Sequence, residues 1–161
     1  RLYTLDPPSG RFNVIESGGV KYVVDFAHTP DGLYNLLKEG RKLCKGKLVT
    51  VFGCGGDRDV SKRPIMGKIA GEMSDIVIVT SDNPRTESRQ SIADDILTGV
   101  RKKNKIFVEL DRSRAIALAV ELSGKGDVVL IAGKGSESYI DENNVKTPYS
   151  DSGELNKALG L

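Results

Sequence analysis

The sequence predicts an α/β domain: a doubly wound, mostly parallel sheet flanked by helices. Three observations point there. Short apolar runs rich in β-branched residues recur along the chain, helical patterns alternate with them, and the polar loops marked by glycine or proline follow the runs instead of preceding them. At 161 residues the chain is long enough to bury one core, and 39% hydrophobic with 29% charged residues is the composition of a globular domain.

The strands come first. "VKYVVDF" (20–26), "KLVTVFG" (47–53), "DIVIVTS" (75–81) and "DVVLIAG" (127–133) are almost continuously apolar, as strands covered on both faces must be, and "KIFVEL" (105–110) is a weaker fifth. Helices fill the gaps. Thr29-Pro30-Asp31 starts "GLYNLLKEGRKL", which sets Leu33, Leu36, Leu37 and Leu43 on one face, and Arg63-Pro64 starts "IMGKIAGEM". Ser91 is expected to open "IADDILTGVRKK", and Asp111 to open "RSRAIALAVELSG", which ends at Gly124. A hairpin around Glu142-Asn143-Asn144 and a last helix in "SDSGELNKAL" complete the series. Residues 1–10, "RLYTLDPPSG", read as a linker from a preceding domain, which leaves 11–161 as the domain proper.

Composition narrows the function. The 24 basic and 22 acidic residues leave a net charge of +2, too balanced for bulk attraction to nucleic acid or to a membrane surface. Two cysteines without CxxC spacing and a single histidine do not supply a four-ligand zinc set. No apolar stretch approaches the roughly 20 residues that span a bilayer, and the N-terminus lacks signal-peptide features, so a cytoplasmic protein with reduced thiols is expected.

In an open parallel sheet the carboxyl ends of the strands share one edge, where ligands bind. The loops at that edge are "DFAHTPDG" (25–32), "GCGGDRDVSKRP" (53–64), "SDNPRTES" (81–88) and "AGKGSESY" (132–139). In the second, Gly53, Gly55 and Gly56 let the backbone adopt positive φ and approach a ligand closely, and Arg58 offers a planar fork of donors, which suits an anion; a turn with solvated charges fits equally. The loop is not a phosphate-binding P-loop, since GxxxxGK[ST] is absent. In the third, Pro84 restrains Asn83 and limits the freedom of Asp82 and Arg85, which favours a ligand bearing both charges; simple helix entry competes with that reading. In the fourth, a carbonyl of Gly133 and the carboxylate of Glu137 can receive an ammonium group, and a plain turn into the hairpin is the competing reading. Asp25, at a strand end, is either a ribose ligand or a cap, and His28 is a helix-start residue or a nucleotide contact. Cys54 fills an apolar gap.

Together and in this order, "DFAHTPDGL", "VFGCGGDRDVSKRPIMGKIA", "SDNPRTES" and "IAGKGSE" resemble the C-terminal domain of the Mur ligases, in particular the members that add meso-diaminopimelate to UDP-N-acetylmuramoyl-L-alanyl-D-glutamate in peptidoglycan synthesis. The resemblance implies an ATP-dependent amide ligase in which the D-glutamate carboxylate becomes an acyl phosphate that the incoming amine attacks. It implies that Arg58, Asp82, Asn83, Pro84, Arg85, Gly133 and Glu137 hold diaminopimelate, and that Arg11, Asp25 and His28 face the nucleotide. ATP and Mg2+ would be bound mainly by a central domain and the UDP-sugar dipeptide by an N-terminal one, both outside this sequence. The fragment would then have no catalytic residue or metal ligand of its own and would be inactive alone. One departure is plain: the family's usual "GKGHE" reads Gly133-Lys134-Gly135-Ser136-Glu137 here. A lysine-adding member of the family and a noncatalytic metabolite-binding module are the alternatives.

Overall fold

The protein is described by a computed structural model over residues 10–101 and 105–161. The expected linker, apart from Gly10, lies outside the described residues. Among the described residues eight strands and five helices follow in the order β1 Asn13–Ser17, β2 Val20–Asp25, α1 Pro30–Leu43, β3 Leu48–Phe52, α2 Lys62–Met73, β4 Ile76–Val79, α3 Arg89–Leu97, β5 Lys105–Val108, α4 Arg112–Leu122, β6 Val128–Ala132, β7 Tyr139–Glu142, β8 Val145–Pro148 and α5 Asp151–Leu159. All five expected strands and the hairpin are present.

The main sheet has the order β1-β2-β6-β3-β4-β5, parallel throughout except for β1. Strand alternation sorts the side chains between two cores. On one face Val23, Leu48, Phe52, Val77 and Leu130 meet Leu33, Leu36 and Leu37 of α1, Met66 of α2 and Ile96 of α3. On the other, Val24, Val49, Val51, Ile78 and Ile131 meet Ala115, Ile116 and Ala119 of α4 and Leu155 of α5. These strands are covered twice, which is why the sequence gives unbroken apolar runs there in place of alternation.

Helices α1 to α3 lie on one face while α4 and α5 lie on the other, and β6 sits between β2 and β3, whose following helices are on the first face. The chain thus leaves β6 and its neighbours in opposite directions and opens a crevice at their carboxyl ends.

Two elements differ from expectation. The antiparallel edge strand β1 was not anticipated, although Gly18 (φ 59°) and Gly19 (φ 78°) form the two-residue turn that joins it to β2. Its short run "NVIES" is mostly exposed, so the apolar signal is diluted. Helix α3 opens at Ser88, whose side chain accepts from Ser91 N, and not at Ser91. It also ends at Leu97 instead of running on through "GVRKK"; Thr98 returns its hydroxyl to Asp95 O, and a Cβ at Gly99 would collide with Pro64 O of α2. Residues 102–104 of that expected extension lie outside the described residues.

A buried ion pair ties the second face to the carboxyl edge. Arg112 and Asp151, both fully buried, form a two-point fork at 2.8 Å, while Arg112 also donates to Ser81 O and Ala132 O at the ends of β4 and β6. Burial alone would raise the Asp151 carboxyl, but Arg112 and the Tyr149 hydroxyl more than offset it and hold it below its ordinary value.

Candidate functional site

The loops that leave the carboxyl edge enclose an open cavity of about 390 Å³. Six of the seven residues expected to hold a ligand line it: Arg58, Asp82, Asn83, Arg85, Gly133 and Glu137. Pro84 is buried behind them. Lys62, Asp59 and Phe26 also line it; none of the three is singled out by the sequence, although Lys62 and Asp59 stand in the loop "GCGGDRDVSKRP". The cavity therefore carries Arg58, Arg85 and Lys62 against Asp59, Asp82 and Glu137. Both signs of charge converge on one space.

The wall formed by residues 53–58 is fixed from below. Arg63, 1% exposed on α2, forks onto Glu87 with two 2.9 Å bonds and reaches Asp95 and Gly55 O at 3.0 Å. The Arg63 bonds hold the Glu87 carboxyl below its usual range, and Glu87 in turn accepts from Asp57 N. Asp57 (φ 55°) then accepts from the Thr86 hydroxyl, so the second and third loops are laced together. Gly56 N donates to Asn83 O at 2.8 Å, and a Cβ at Gly56 would collide with Pro84 O. Glycine at 56 is required by this close approach and not by a positive φ.

Arg58 is exposed, with one bond to Asp57 O at 3.0 Å. Arg85 is partly buried and adopts φ 52°, a strained backbone for a side chain of this size. Its Nη1 donates to Gly56 O at 2.9 Å, which leaves other guanidinium donors for a ligand.

The floor is built on a residue that received no role from the sequence. Lys134 is fully buried; its Nζ donates to Asn83 Oδ1 and Glu137 Oε1 at 2.8 Å and to Tyr139 O at 2.9 Å, with Asp82 Oδ1 at 3.4 Å. Asn83 Nδ2 also donates to Glu137 Oε1, at 2.7 Å. The ammonium that Glu137 receives within this chain is thus that of Lys134. Burial raises the Glu137 carboxyl, yet the bonds from Lys134 and Asn83 outweigh it and keep the group ionised. Both bonds fall on Oε1, and among the described residues none reaches Oε2. The signal for Lys134 was its place between Gly133 (φ 120°) and Gly135 (φ 53°), where the chain turns sharply at a strand end.

A second cavity, about 270 Å³, lies beside the first and gathers Arg11, Asp25 and His28 with Phe26 and Thr29. Phe26, His28 and Thr29 line both spaces. The His28 ring stands edge-on to Phe26 at 4.6 Å, and its Nδ1 must donate to Phe26 O (2.9 Å), which leaves Nε2 as the acceptor of the neutral ring. Asp25 accepts one backbone amide on each oxygen, Phe12 N and Ala27 N at 2.7 Å, and so shapes the turn that carries Arg11. Ser136 is exposed near Gly10; a Cβ at Gly10 would meet the Ser136 Oγ at 2.9 Å. Cys54 is buried, its thiol pushed up to about 12 by desolvation, in keeping with a packing role. Among the described residues no group of three or more His, Cys, Asp or Glu is placed to hold a metal ion.

Residues 10–135 match the family model described as Mur ligase, glutamate ligase domain. The chain belongs to the Mur ligase family. Of its relatives, the UDP-N-acetylmuramoyl-L-alanyl-D-glutamate--2,6-diaminopimelate ligase of Aquifex aeolicus is 48% identical over 94% of this chain and 31% of its own length. The enzyme of the same description from Prochlorococcus marinus is 55% identical over 80% of this chain and 25% of its own length. A solved structure with that description superposes with a TM-score of 0.91 at 41% identity, over 97% of this chain and 32% of the other. The chain thus spans about a third or less of the curated relatives it matches. The doubly wound sheet with flanking helices is the Mur ligase fold.

Proposed function

We propose that residues 11–161 act as the amino-acid-binding C-terminal domain of an ATP-dependent ligase that adds meso-diaminopimelate to UDP-N-acetylmuramoyl-L-alanyl-D-glutamate. The observation that carries this reading is the single cavity holding Arg58, Arg85 and Lys62 opposite Asp82 and Glu137. Diaminopimelate is zwitterionic at both ends and differs from lysine by one carboxylate. The bond-forming end must stay free to react, so the domain grips the far end: the guanidinium of Arg85 takes the extra carboxylate, and Glu137 takes the neighbouring ammonium. A guanidinium matches a planar carboxylate in two-point geometry, which lysine cannot satisfy at that position.

In the reaction an amine nitrogen attacks the activated carbonyl carbon, the C–N bond forms, the C–O bond to phosphate breaks and the amine loses a proton. The residues of this chain bind and aim the amine; activation of the carboxylate requires ATP with Mg2+. The donor set here fits only the margin of a nucleotide. Phe26 is an exposed apolar ring, His28 Nε2 an acceptor and Arg11 a cation at one rim, while a phosphate-cradling loop and a magnesium set are not among the described residues. We therefore assign the main grip on ATP, Mg2+ and the UDP-sugar dipeptide to regions of a longer protein outside this chain. Dependence on ATP supports a cytoplasmic location for the reaction.

The test is steady-state kinetics of the full-length protein carrying Arg85→Ala. Loss of a charged hydrogen-bond partner should raise KM for diaminopimelate by about tenfold or more, with KM for ATP nearly unchanged. Equal losses in both, or turnover of lysine as efficient as that of diaminopimelate by the unaltered protein, would overturn the assignment.

A further inference from the structure

The β7–β8 hairpin stands outside the main sheet, and all four residues of β8 are exposed. One edge of β7 pairs with β8. The opposite edge is used at every second residue by the cavity. Tyr139 O accepts from Lys134 Nζ (2.9 Å), Asp141 N donates to Asn83 Oδ1 (2.9 Å), Asp141 O accepts from Arg85 N (2.9 Å), and Asn143 N donates to Arg85 O (2.8 Å). The last two make an isolated parallel bridge between Arg85 and Glu142. Glu142 is itself forked onto Arg89 at 2.7 and 3.0 Å, which anchors the hairpin to the start of α3.

From this spacing we infer that the β7–β8 hairpin is the positioning element for the amino-acid site, its free edge setting Asn83, Arg85 and Lys134 against one another. The two-residue strand repeat supplies the register, and backbone bonds at both the N–H and the C=O of Arg85, made to this one edge, hold it at φ 52°, a conformation its own side chain disfavours. The hairpin turn fixes the edge in turn, since Asn143 (φ 52°) and Asn144 (φ 65°) have the paired positive dihedrals of a tight two-residue loop. Hairpin geometry thereby determines where the guanidinium meets the ligand carboxylate. The inference rests on the ligand reading given above, but the bridge itself does not.

Asn143→Pro in the full-length protein removes the amide that donates to Arg85 and forbids the positive φ, without altering a side chain that lines the cavity. Asn144→Gly preserves the turn and serves as the comparison. Amide exchange in the absence of substrate should show lost protection at Arg85 N in Asn143→Pro, with protection retained at Thr80 N in the sheet. The same variant should raise KM for diaminopimelate by about tenfold, leave KM for ATP within about twofold, and narrow the preference for diaminopimelate over lysine; Asn144→Gly should match the unaltered protein in each. Unchanged protection at Arg85, equal rises in both KM values, or an Asn144→Gly as impaired as Asn143→Pro would overturn the inference. Failure of the unaltered protein to use diaminopimelate would refute the ligand reading alone, and exchange at Arg85 would still decide the role of the hairpin.

Discussion

Arg85 and Lys134 occupy opposite situations in the same cavity. Arg85 keeps donors free at the surface of the space, whereas every proton of Lys134 is spoken for beneath it. Lys134→Met would leave Asp82 and Glu137 near one another without their shared cation, and removal of one partner of a buried ion pair costs about 3–5 kcal/mol. Urea denaturation should show a loss of that size, together with an upward move of the Glu137 titration. At Gly56 the constraint is purely steric. Gly56→Ala should destabilise by about 1–3 kcal/mol because the Pro84 carbonyl has to move, while Gly124→Ala, where nothing lies within 4 Å of the added carbon, should change stability little. The sequence suggests positive φ and approach to a ligand as the reason for Gly53, Gly55 and Gly56, but none of the three has a positive φ, and the carbonyl that excludes a side chain at Gly56 comes from a loop 28 positions away, at Pro84.

Among the elements, caps and buried pairs decide boundaries. Ser88 and Ser91 are chemically identical, and both precede a helical pattern; only the bond from Ser91 N to Ser88 Oγ distinguishes the true start of α3. Ser88→Ala should cost about 1 kcal/mol and Ser91→Ala much less, as read by thermal or chemical melting. The first start, at Thr29-Pro30, was legible because proline and an acidic residue leave no second choice. Helices α4 and α5 meet through Arg112 and Asp151, with the paired oxygens and the Tyr149 hydroxyl satisfying one another. Asp151→Asn should destabilise by about 3–5 kcal/mol, and a doubly apolar replacement of both residues should recover much of that loss, since the pair is costly to desolvate. Because Arg112 also holds Ser81 O and Ala132 O, this pair supports the crevice from the face opposite α1 to α3.

Over the whole molecule, the carboxylates set the response to acid. Asp151, Glu87, Glu137 and Glu142 all lie below their ordinary values of 3.8 for aspartate and 4.5 for glutamate, the last because Arg89 forks onto it. A group with a lowered folded value binds fewer protons folded than unfolded near its ordinary pKa. Its contribution is therefore complete above that value and is lost as pH falls through the lower folded one. The denaturation midpoint should stay level from neutrality down to about pH 5 and fall steeply below about pH 4; a midpoint flat to pH 3 would contradict the pairings.

The sequence by itself determined the class of fold, the five parallel strands, and the edge where the polar loops gather, because burial on both faces and capping chemistry are written in consecutive residues. It missed β1, whose signal was a Gly-Gly turn beside a mostly exposed strand. Only the tertiary structure decided that Lys134 lies buried beneath Asn83 and Glu137, that Asp25 serves backbone amides, and that β7 grips the loop of Arg85. Those facts join residues up to 58 positions apart. No local pattern encodes them, since a hydrogen bond across such a separation exists only after the intervening elements have packed.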